Sequence, residues 1–142
     1  MVGRHRCTGK GYQSLIGRDS YKQWTSAFGD GLYFEGSWQQ GQRIRFLTPE
    51  GHGVLSEIAE HRPNEFISVR HIGYIADDGT EDTSSESIRA WAPAYENYTL
   101  TATPQGTTLT VDQDMTADFA SMDEAWPKAL AKLRELCEND AR

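Results

Sequence analysis

An α+β fold, with helices at both ends of the chain and an antiparallel sheet between them, is predicted by three features of the sequence. Apolar residues recur at intervals of three and four near the two ends, they alternate with polar residues through the middle, and turn sequences containing Gly, Pro or Asp separate the alternating runs. The 142 residues hold no internal repeat, low-complexity tract or linker. At that length one domain with one substantial core is expected, burying about 68% of the surface its unfolded chain exposes.

Each element follows in turn. Residues 1–11, MVGRHRCTGKG, combine three glycines and four basic residues with almost no alternation, so an irregular segment is expected there and the domain proper is placed at 12–138. Tyr12, Leu15 and Ile16 share a helical face that Gly17 terminates, and Asp19 or Ser20 can cap a second short helix reaching Trp24. Leu32 to Trp38 reads as a strand, Gln39 to Gln42 as a turn around Gly41, and Arg43 to Thr48 as the returning strand. Val54 with Ile58, and Ile67 with Val69, mark two further strands. The acidic stretch Asp77 to Asp82 contains an Asp-Gly turn and is expected to be a solvated loop leading to the run from Ser87.

Tyr95 to Thr103 and Thr107 to Met115 form a hairpin through Pro104-Gln105-Gly106. At the C-terminal end Met122, Trp126, Ala129, Leu130, Leu133, Leu136 and Cys137 recur at helical spacing. Ser121 and Glu124 have capping-box spacing, but Pro127 lacks a backbone donor, so the regular helix is expected from about residue 127. Helical signals are confined to the two ends.

Composition excludes several classes of function. With 14 Lys and Arg against 21 Asp and Glu, the net charge of -7 is the wrong sign for a phosphate-backbone partner. No stretch approaches the roughly 18 apolar residues of a membrane span, and no apolar signal segment is seen, so a cytoplasmic location is expected. Cys7 and Cys137 sit near opposite ends, and a reducing compartment disfavours a bond between them. Nucleophile-elbow, P-loop, dinucleotide and zinc signatures are all absent, and the four histidines at 5, 52, 61 and 71 lack zinc-ligand spacing. No catalytic residue, metal or cofactor is assigned.

Strand parity supplies the candidate site. Residues two apart share a face, so Ile67 and Val69 bring His71 inward, Tyr98 and Leu100 bring Glu96, and Leu109 and Val111 bring Gln113. Buried polar groups need partners, and these three either bond one another and water, line a ligand cavity, or reach solvent at strand ends. Trp38 at its hairpin end can close one side of a sheet concavity or simply fill core volume, and Gly36 beside it leaves room for a bulky neighbour.

The phrases SLIGRDSYKQWTSAF (14–28), EGSWQQGQRIRFL (35–47), ENYTLTATPQGTTLTV (96–111) and MDEAWPKALAKLREL (122–136), in this order, resemble the homologues of the activator of the 90-kDa heat-shock protein ATPase, within the START-like or SRPBCC superfamily. The resemblance implies a helix-grip fold: about six antiparallel strands curl around a long C-terminal helix and leave a cavity between them. Trp38, Tyr98 and Trp126 would sit around that cavity, with Phe46 as a further wall. The chain departs from the family pattern at residues 1–11, where a first strand belongs. Its loss would leave an open sheet edge and favour a homodimer or aggregation.

Three functions follow from this resemblance, since the fold alone does not choose among them. The first is non-catalytic binding of a small apolar or amphipathic ligand in the cavity, by Trp38, Phe46, His71, Glu96, Tyr98, Gln113 and Trp126. The second is a protein contact of the chaperone-activator kind, with the 90-kDa heat-shock protein as partner. The third is a cyclase- or hydrolase-type enzyme using His71 and Glu96 as acid and base.

Overall fold

A computed structural model describes residues 3–7, 11–104, 106–114 and 125–140. The order of elements is β1 (Gly3–Cys7), α1 (Gly11–Ile16), α2 (Arg18–Trp24), a 3-10 turn (Thr25–Ala27), β2 (Tyr33–Gly36), β3 (Arg43–Leu47), β4 (Gly53–Arg62), β5 (Phe66–Ile75), β6 (Glu81–Asp82), α3 (Glu86–Arg89), β7 (Ala94–Thr103), β8 (Gly106–Gln113) and α4 (Trp126–Asp140). The strands form one antiparallel sheet in the order β1-β8-β7-β5-β4-β3-β2, with the two-residue β6 paired to β5. The fold is the expected α+β helix grip: α4 runs against β1, α1 and α2, and its apolar face closes over the sheet.

The N-terminal expectation is corrected. Gly3–Cys7 is a strand, registered against β8 from Gly3↔Val111 to Cys7↔Thr107. Its composition is poor for a strand, yet the backbone of β8 offers it a full ladder, and pairing overrides propensity. β8 is therefore not the open edge that loss of a first strand would leave; the edges are β1 and β2. A second correction concerns residues 86–89, where a single helical turn, capped by the Ser85 hydroxyl accepting from the Ile88 N–H, interrupts the run from Ser87. A third concerns α2, which starts at Arg18 with Gly17 at its N-cap and no side-chain cap, rather than being capped by Asp19 or Ser20. The expectations for Ser121, Met122, Glu124, Gln105 and Met115 and for the Cys137 side chain lie outside the described residues.

The core follows the alternation. Ile44 of β3, Ile58 of β4, Ile67 and Val69 of β5, Leu100 of β7, and Leu109 and Val111 of β8 face a single cluster. From α4, Ala129, Leu130 and Leu133 enter the same cluster, and Leu136 packs half-buried against it. Two irregularities re-aim the sheet. The β4–β5 register shifts between Leu55 and Ser56 and again between Ile58 and Glu60, and each extra residue reverses which face the following side chains occupy. The second shift turns His61 toward α1, where its ring meets Tyr12.

Candidate functional site

One end of this interior is hollow. A cavity of about 270 Å³ lies between α2, α4 and the concave face of the sheet. From the helical side it is walled by Tyr21, Trp24, Thr25 and Phe28, spaced at i, i+3, i+4 and i+7 so that one face of α2 and the following turn presents all four. Trp126 at the start of α4 adds its ring edge-to-face with Phe28 at 4.9 Å and tilted against Trp24 at 6.3 Å. On the sheet side are Phe46, Val54 and Tyr98, with half-buried Leu32, Thr48 and Gly53 toward the outside.

The polar residues picked by strand parity meet at this cavity. Cross-strand pairing sets Val69 against Glu96, Glu96 against Gln113 and His71 against Ser56, so polar side chains from β4, β5, β7 and β8 stand on adjoining positions of one face. They form a chain of contacts. Trp126 Nε1 donates to Gln113 Oε1 at 2.9 Å, and Gln113 Nε2 donates to Glu96 Oε1 at 2.9 Å. The Tyr98 hydroxyl donates to Glu96 Oε2. His71 Nε2 stands 3.7 Å from Glu96 Oε1, and its Nδ1 is 2.7 Å from the buried Ser56 hydroxyl. The His71 and Glu96 side chains are 7% and 14% exposed, which places the chain away from bulk water.

Burial dominates the electrostatics of this end. It pushes the Tyr98 hydroxyl well above the ordinary tyrosine range, and the neighbouring Glu96 charge pushes it further. Tyr21 is raised for the same two reasons, burial first and the Glu96 charge second. Both hydroxyls stay protonated at neutral pH, and that of Tyr98 donates to Glu96.

Of the seven residues singled out in the sequence, Phe46, His71, Glu96, Tyr98, Gln113 and Trp126 line the cavity. Trp38 does not. Gly36 has φ +113 and breaks the alternation of β2, and a Cβ there would fall 2.6 Å from the Arg43 carbonyl oxygen, so the glycine admits a backbone rather than a bulky side chain. Beyond it Trp38 packs edge-to-face on Phe34 and Phe46, behind the cavity wall. The sequence reading missed Tyr21, Trp24, Phe28 and Ser56. The first three carried a readable signal, because their helical spacing continues past Trp24, where the second helix was expected to stop. Among the described residues no group of three or more metal-ligating side chains is present, and no helix is long and apolar enough to cross a membrane.

No protein-family model and no curated protein matches this chain. Solved structures do. A Mesorhizobium loti protein superposes with a TM-score of 0.71 at 18% identity, covering 96% of this chain and 94% of the other. The Aha1 dimer of Colwellia psychrerythraea gives 0.66 at 18% identity over 96% and 93%. DynU16, a protein of the dynemicin biosynthetic locus, gives 0.65 at 15% identity over 94% of this chain and 45% of that one. The chain shares its helix-grip fold with these structures. At these identities the likeness speaks for the fold and leaves the activity open.

Proposed function

We propose that this domain binds a small, largely apolar molecule in the cavity between sheet and C-terminal helix, without catalysing a reaction on it. The observation that supports this is the pairing of an aromatic-walled hollow with a connected set of buried polar groups at its inner end, the usual composition of a small-molecule site. The volume, about 270 Å³, lies just below the roughly 300–1,000 Å³ common for such pockets, so only a compact ligand fits. Phe46, Tyr98 and Trp126 would supply apolar contact, and His71, Glu96 and Gln113 orientation. Affinity would come mainly from buried apolar area, at roughly 25 cal/mol per Å² less the cost of immobilisation.

A neutral naphthylamine fluorophore tests the reading, since binding beside Trp24 and Trp126 quenches tryptophan emission. Val54→Trp, at a half-buried cavity position, is expected to weaken probe binding by at least about tenfold, equivalent to about 1.4 kcal/mol. Equal binding by the folded variant and the wild type would place the probe elsewhere and remove the proposal. The likeness to an Aha1 dimer favours a second reading, a protein contact made by a homodimer or with a chaperone partner. Sedimentation showing a dimer, together with no probe binding, would put that reading first.

A further inference from the structure

The polar end of the cavity is closed on itself. An indole N–H can only donate, so Trp126 Nε1 holds the Gln113 amide with Oε1 toward it, accepting at 2.9 Å. The amide nitrogen is thereby turned to Glu96 Oε1, also at 2.9 Å, and the Tyr98 hydroxyl donates to Oε2. Both carboxylate oxygens are engaged. The His71 ring has Ser56 Oγ 2.7 Å from Nδ1 and Glu96 Oε1 3.7 Å from Nε2. Among the described residues, none that lines the cavity has a buried side-chain polar atom without a hydrogen-bond partner. The outer end differs. Leu32, Thr48 and Gly53 are half-buried there, and the exposed His52 ring stands 3.3 Å from the Thr48 hydroxyl.

Resting on the ligand-binding reading above, we infer that the ligand enters apolar end first: a compact aromatic molecule whose inserted ring bears no hydrogen-bonding group, with any such group left at the mouth beside Thr48. A hydroxyl carried inward gives up its water and finds no buried atom waiting for a partner, so it must compete with Tyr98 and Gln113 for the oxygens they already hold. Its desolvation is not offset. A carboxylate fares worse, meeting the like charge of Glu96 where little water screens it. The same groups left beside Thr48 and His52 keep their contact with solvent. His71, Glu96 and Gln113 thus orient the ligand by exclusion. The edge of the inserted ring, the positive side of its quadrupole, is the part that the carboxylate attracts.

Calorimetric titration with two naphthalenes of one shape tests this at neutral pH. 6-Methyl-2-naphthol has a hydroxyl at one end of its long axis, whereas 2,6-dihydroxynaphthalene has one at each end and must carry one inward. The methyl compound is expected to bind the wild type at least about tenfold more tightly. Tyr98→Phe removes the donor on Glu96 Oε2 and leaves that oxygen to accept from the inner hydroxyl, so the gap should narrow to within about threefold, with circular dichroism verifying the fold. The narrowing is the deciding result, because a preference that came only from the methyl group's aversion to water would not change with Tyr98. If the gap persists undiminished in Tyr98→Phe, or if the two compounds bind the wild type equally, the inference falls while the ligand-binding reading stands. If neither compound binds, the ligand-binding reading fails as well.

Discussion

One turn of α4 separates two different interiors. At Leu130 and Leu133, both 1% exposed or less, the helix meets Ile67, Val69, Leu109 and Val111 in a filled cluster of branched aliphatic side chains. At Trp126, four residues earlier, the same helix meets the same sheet and leaves a cavity. The backbone does not account for the difference; the side-chain types do. Branched aliphatics interdigitate to close packing. Rings held edge-to-face, such as Trp126 on Phe28 and Tyr21 on Phe34, prop one another apart, and a hydrogen-bonded set anchored on Glu96 holds its own positions rather than collapsing inward.

The sharpest way to break that contrast is at its filled end. Leu133→Ala removes side-chain atoms from a site with no slack, and large-to-small changes in such places cost about 2 to 5 kcal/mol, set by how far the surroundings relax. A denaturant midpoint that stays unchanged would mean that α4 does not seal the sheet as described. The neutral probe of the cavity should still bind the folded fraction of this variant.

Alkaline pH acts on the hollow end instead. Burial and the Glu96 charge raise Tyr21 and Tyr98 above the ordinary value of 10.0, so in the folded chain both keep their protons where an unfolded chain's tyrosines release theirs. The unfolded state then binds fewer protons, and stability is full below pH 10 and falls as pH rises beyond it. Each such tyrosine contributes a slope of about 1.4 kcal/mol per pH unit. Tyr98→Phe should make the decline between pH 10 and 11 shallower, as urea titrations at each pH would record. An identical slope in the variant would detach Tyr98 from the buried acidic network.

The two ends were unequally legible in the sequence. Leu130, Leu133 and Leu136 were readable because a helix repeats its inward face every three or four residues. His71, Glu96 and Gln113 were readable because each strand holds its parity from an apolar pair to the polar residue two places on. Parity fails where the backbone breaks it. Gly36 with its positive φ redirected Trp38 behind the wall, and the register shift after Ile58 turned His61 toward Tyr12. β1 was illegible for another reason, since Gly3–Cys7 takes its structure from the ladder that β8 offers. No pattern inside those five residues announces it. α3 is a single turn, too short for periodicity, and only the Ser85 cap marks it.

The smallest expected effect compares two tryptophans that the sequence treated alike. The indole N–H of Trp126 is engaged with Gln113, which in turn orients Glu96. That of Trp38 is buried with no hydrogen-bond partner among the described residues. Replacing each by Phe trims a ring of the same kind, so the difference between the two variants isolates the N–H. Trp126→Phe leaves Gln113 Oε1 buried without its donor, a loss of about 1 to 3 kcal/mol, beyond the trimmed volume. It should also free the Gln113 amide to turn. Trp38→Phe discards a donor that had no bond to lose, which offsets the trimmed packing, and a net change below about 1 kcal/mol is expected. Chemical denaturation of the two variants side by side decides the matter. Equal losses would mean that the Trp126–Gln113–Glu96 chain contributes nothing to holding the polar end in place.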